Sequence, residues 1–89
     1  MGLSEFRQQI DKVDNGLLEL LRERMLICEK IAAYKKEHRL PVLDAARENE
    51  KLAVITEKAG DELGPYAEKF FKMLFEISRA YQSACAGLK

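Results

Sequence analysis

Histidine occurs once, at His38, and cysteine only at Cys28 and Cys85, so the chain lacks the ligands for a zinc centre and no metal is expected. The two cysteines fall at apolar positions of helical patterns and form no CxxC pair, which favours two reduced, buried thiols over a disulfide. An excess of one charge is also missing. Fifteen Lys+Arg against 15 Asp+Glu argue against a nucleic-acid binder or a membrane-surface protein held by bulk charge, and any ionic ligand must be caught locally. No apolar run approaches the roughly 20 residues that span a bilayer, and Met1 to Phe6 has neither a basic nor an apolar leader segment, so a cytoplasmic location is expected. Val, Ile and Thr are scarce, whereas Ala, Glu, Lys, Leu and Arg make up more than half of the chain, a balance that disfavours sheet.

What is present is helical periodicity. From Phe6 one stripe runs Phe6, Ile10, Val13, Leu17, Leu20, Arg24, Ile27, Ile31, Tyr34 in unbroken steps of four and three, predicting one long N-terminal helix with Ser4 as its cap. A second stripe, Leu18, Leu21, Met25, Cys28 and Ala32, widens the apolar face as in a multi-helix bundle. Pro41 marks a connection from about Glu37 to Leu43, and Asp44 fits the cap of a second helix that ends near Gly60, with Leu52, Ile55 and Ala59 inward. Gly64-Pro65 opens a third helix, carrying the stripe Ala67, Phe70, Leu74, Ile77, Tyr81, Ala84, broadened by Phe71 and Phe75. The expected fold is all-α, a three-helix chain forming a single domain over residues 1–89.

The length of the first helix implies a partner. About thirty residues make a rod of roughly 45 to 50 Å, whereas a compact globule of this chain length is only about 30 Å across. Two smaller helices cannot cover such a stripe, so a second copy alongside it, in an intertwined two-fold homodimer, is expected.

Polar residues interrupt the inward stripes of every helix. Arg24 sits mid-stripe, Lys35 extends the second stripe, Glu48 lies one turn before Leu52, and Ser78 and Gln82 follow Phe71 and Phe75. Each alone has an ordinary explanation, as a snorkelling arginine, a helix-end charge or a satisfied core polar group. Together they suit a small polyanion that also offers a hydroxyl to Glu48. No Ser/His or Cys/His pairing, phosphate-cradling glycine loop or poised carboxylate pair accompanies them. An enzyme built this way holds its substrate in a reactive shape and stabilises developing charge with fixed donors. Arg7 lies seventeen residues before Arg24, about 25 Å along the same helix, so it can join the site only from the other subunit's helix.

Phe6-Arg7-Gln8-Gln9-Ile10-Asp11-Lys12-Val13-Asp14, Arg22-Glu23-Arg24, Ala33-Tyr34-Lys35, Pro41 to Glu48, and Ser78 with Gln82 together make the chain resemble the all-helical chorismate mutases, the AroQ class, over nearly its whole length. The resemblance implies an intertwined dimer that converts chorismate to prephenate, with no cofactor and no covalent intermediate, in phenylalanine and tyrosine biosynthesis. It implies further that Arg24 and the other chain's Arg7 bind substrate carboxylates with Ser78 assisting, and that Lys35 and Gln82 donate to the ether oxygen. Glu48 and the Asp44 region would take the hydroxyl, with Arg47 beside them to orient Glu48. Two alternatives remain: a lyase of the same fold that removes pyruvate from isochorismate, and a non-catalytic dimerisation or regulatory module.

Overall fold

Two helices, α1 (Leu3–Glu37) and α2 (Ala45–Cys85), make up the regular structure of residues 2–87, the part that this computed structural model describes. At 1.5 Å per residue the 35 residues of α1 reach about 52 Å, which accounts for the 55 Å long axis of the chain. The helix starts before the expected Ser4 cap, because the Glu5 carboxylate reaches back and accepts the Gly2 N–H at 2.7 Å. Its own N–H and that of Gly2 hold the Glu5 carboxyl below the usual carboxylate value. That contribution to the helix start is therefore present above the ordinary carboxylate range and lost as pH falls through the lowered value.

The other end of α1 closes on a left-handed residue. Arg39 takes φ 56°, and the N–H groups of Arg39 and Leu40 donate to the carbonyls of Lys36 (3.3 Å) and Lys35 (2.7 Å). This is the double hydrogen bond of a Schellman ending, made here by an arginine where glycine is usual. The lone histidine also serves this end: the His38 ring stacks on Tyr34 with centroids 4.0 Å apart.

Asp44 caps α2 as its sequence position predicts, its carboxylate accepting the Arg47 N–H at 3.1 Å. The expectation of three helices is corrected to two, because helix runs from Ala45 to Cys85 with Gly60 (φ 85°, ψ 173°) as its one non-helical residue and Pro65 inside it. That backbone region is open to glycine almost alone, which lets one residue do the work of a connection. The break turns the chain back on itself. In a straight helix Glu48 and Arg79 would lie about 46 Å apart, yet their side chains form an ion pair. Gly64 sits inside the fold-back, where a Cβ would come within 3.3 Å of the Thr56 carbonyl oxygen.

Among the described residues only Cys28, Ala32 and Phe75 form the buried apolar core, accompanied by Ser78 and Gln82. Cys28 is buried as expected, but Cys85, next to the end of α2, is exposed; both thiols are free. In α1 and in the second arm of α2 the secondary stripe turns inward, while the main stripe stays largely open: Phe6, Ile10, Val13, Leu20 and Phe70 are each at least half exposed. The chain is correspondingly elongated, with a radius of gyration of 16.1 Å against about 12 Å for a compact globule of this length.

Candidate active site

Helix periodicity and the fold-back at Gly60 bring both helices to one cleft of about 310 Å³, at the lower end of the usual size for small-molecule sites. From α1 come Arg24, Cys28 and Lys35, which lie on one face. The connection supplies Val42 and Asp44. The first arm of α2 supplies Arg47, Glu48 and Lys51, and the second supplies Phe75, Ser78, Arg79 and Gln82. Seven of the eight residues expected at the site therefore line one cleft. Arg7, exposed near the start of α1, is not among the lining residues of its own chain.

The guanidinium of Arg24 donates to the Ser78 hydroxyl and lies 6.0 Å from the centroid of the Phe75 ring. Ser78 in turn donates to the Leu74 carbonyl at 2.8 Å, a bond within its own helix that fixes the hydroxyl's orientation. Arg24 is thus held by a polar contact and an aromatic face while the rest of its five-donor fork stays available. Lys35 donates to the Val42 carbonyl at 2.7 Å, which pins the connection over the cleft and leaves further ammonium protons for a ligand.

Gln82 is only 7% exposed, and its Oε1 is buried with no hydrogen-bond partner. A buried, unpaired amide atom costs roughly 1 to 3 kcal/mol, a cost that a bound group can remove. A half-turn about the last side-chain bond presents the amide N–H at the same point, so Gln82 can serve a ligand as donor or acceptor.

Glu48 is held by Arg79 through an ion pair joining the two arms of α2, with side chains 24% and 33% exposed. The family resemblance implied that Arg47 orients Glu48. In the fold Arg47 lines the cleft as an exposed residue, and Arg79 makes the contact. Arg79 and Lys51 were missed because a charge on a helix flank looks like solvated surface. The available clue was that Arg79 adjoins Ser78 and lies three residues before Gln82. Arg24, Lys35, Arg47, Lys51 and Arg79 outnumber Asp44 and Glu48, giving the cleft a net positive charge suited to a dianion. Among the described residues no cluster of His, Cys, Asp and Glu could hold a metal ion.

An all-helical chain with a cation-rich cleft bounded by both of its helices is the class that the geometry defines. The family model described as chorismate mutase type II matches residues 6–83, and the chain belongs to that family. It is 36% identical over 76 residues to the 3-dehydroquinate dehydratase of Pyrobaculum aerophilum, covering 85% of this chain and 21% of that protein. It is 31% identical over 87 residues to the bifunctional chorismate mutase/prephenate dehydratase of Aquifex aeolicus, covering 98% of this chain and 24% of that protein. With the chorismate mutase of Methanocaldococcus jannaschii it shares 37% identity over 46 residues, or 52% of this chain and 46% of that one. The chain thus spans less than half the length of each of these curated relatives. No solved structure matches it.

Proposed function

We propose that the protein is a chorismate mutase that converts chorismate to prephenate by a Claisen rearrangement. One C–O ether bond breaks and one C–C bond forms within a single molecule, so the reaction calls for no nucleophile, proton transfer or cofactor. The observation that carries this reading is the convergence of Arg24, Lys35, Glu48, Ser78 and a buried Gln82 with an unpaired amide oxygen on one cleft. Membership of the chorismate mutase type II family supports it.

In this proposal Arg24, steadied by Ser78, grips one substrate carboxylate, for which a planar fork is better matched than an ammonium group. Arg7 of a second copy grips the other. Lys35 and Gln82 donate to the ether oxygen, whose negative charge grows as its bond to carbon breaks. Because those bonds strengthen in the transition state, they lower the barrier, and loss of one costs on the order of 3 kcal/mol. Glu48 accepts from the substrate hydroxyl with the Asp44 turn beside it, and Arg47 adds positive charge at the cleft. The protein supplies shape and electrostatic stabilisation throughout.

The second copy is part of the proposal. A row of half-exposed Phe6, Ile10, Val13, Leu17 and Leu20 along α1 is more contiguous apolar surface than a soluble monomer ordinarily leaves open. An antiparallel pairing of two α1 helices covers that row and brings Arg7 of each copy toward the other's cleft. No helix among the described residues is long and apolar enough to cross a membrane.

Incubation with chorismate and, separately, with isochorismate tests the reading. Prephenate from chorismate is the expected product. Salicylate and pyruvate from isochorismate, without prephenate, would assign the lyase reaction, and inertness toward both would leave a non-catalytic dimer.

A further inference from the structure

We infer that Arg79 is a positioning residue that aims the Glu48 carboxylate at the substrate hydroxyl, an inference that rests on the mutase reading above. Glu48 lies on the first arm of α2 and Arg79 on the second, 31 residues later, and only the reversal at Gly60 lets them meet. The Arg79 fork takes Glu48 Oε1. The second carboxylate oxygen is left to accept from a ligand, in an orientation set by the pair. Both side chains are two-thirds or more shielded from solvent and line the cleft beside Ser78 and Gln82, so the contact is not an idle surface pair.

Two effects follow. Without Arg79 the carboxylate turns freely and loses its fixed aim. It also meets an incoming dianion as an uncompensated like charge. The hydroxyl is not part of the bond rearrangement, so its contact with Glu48 is equally strong in ground and transition states, and weakening it raises KM and spares kcat.

The test uses the full chain with Arg79→Met and Arg79→Lys. Two bicyclic dicarboxylates that mimic the transition state, one with and one without the hydroxyl, are titrated calorimetrically into each variant and the wild type. Arg79→Met should reduce the preference for the hydroxylated compound by about tenfold, the change that loss of one well-aimed charged hydrogen bond produces. KM for chorismate should rise by about tenfold with kcat within about threefold of wild type. Arg79→Lys keeps the ion pair and should return the preference to within about threefold of wild type.

Equal weakening of both dicarboxylates by Arg79→Met would show that Arg79 grips a carboxylate or only props the fold, and would overturn the inference. An unchanged preference would overturn it too. A wild-type protein that makes no prephenate and binds neither compound would instead remove the mutase reading on which the inference stands.

Discussion

Replacement of Arg24 by leucine separates the catalytic reading from the structural one, because the two predict opposite consequences. The guanidinium donates to Ser78 and faces Phe75, and the same residue borders an apolar groove lined by Leu21, Phe71 and Leu74. In Arg24→Leu the Ser78 hydroxyl is not orphaned, since it keeps its bond to the Leu74 carbonyl at 2.8 Å. The lost hydrogen bond and cation–π contact, about 1 kcal/mol each, are offset by a leucine side chain that packs into the groove. Stability should therefore change by no more than about 1 kcal/mol, in either direction. Turnover should behave differently. A partly buried guanidinium–carboxylate contact is worth about 2 to 5 kcal/mol, which corresponds to a loss of roughly 30- to 5000-fold in kcat/KM. Arg24→Lys, which keeps the charge but not the fork, should fall between the two. Initial rates of chorismate consumption, thermal melts and sedimentation of the same samples give the three readouts. An Arg24→Leu dimer whose kcat/KM stays within about threefold of wild type would refute the role of this residue, and with it the reasoning from buried charge to function.

Gln82→Glu puts an ionisable group where the proposed mechanism places an amide donor, so turnover should fall as pH rises and recover in acid, where the protonated carboxyl can donate. A pH–rate profile parallel to the wild type would exclude Gln82 as a donor. Gly60→Ala forces a side chain into φ 85°, ψ 173°, and should destabilise the chain by about 1 to 3 kcal/mol while weakening the Glu48–Arg79 contact across the fold-back, as measured by denaturant unfolding. Arg39→Gly relieves a left-handed residue at φ 56° in the ending of α1 and should stabilise by about 0.5 to 1 kcal/mol, read as a higher melting temperature.

The helical architecture was legible because periodicity reports which residues share a face, and steps of three and four persist along α1 from Phe6 to Tyr34. The same regularity made Arg24, Glu48, Ser78 and Gln82 conspicuous as polar residues among apolar ones, and the fold does bring them to one cleft. Periodicity does not tell which of two adjacent stripes a single chain buries. The longer stripe, too long for the chain's own helices to cover, leaves Phe6 and Ile10 half exposed, while Cys28 and Ala32 of the shorter one are buried. Nor does it resolve how a chain reverses: Gly64-Pro65 has the composition of a helix start, but Gly60 alone turns the backbone and helix resumes before Pro65. Arg79 escaped notice for the same reason. Its partner is 31 residues away, and only the tertiary reversal makes them neighbours. Cys85 looked buried by its place in the repeat, but a position at the end of a helix has no further turn to cover it.

The central claim is a cleft completed by a second copy, and subunit mixing tests it most directly. Arg7→Ala and Arg24→Ala are each prepared as an inactive protein, then combined in equal amounts and allowed to exchange subunits. If each site takes Arg24 from one copy and Arg7 from the other, a mixed dimer has one intact site and one doubly defective site. Half of the dimers are mixed at equilibrium, so activity should rise to about a quarter of wild type. A mixture no more active than its two components would contradict the shared site.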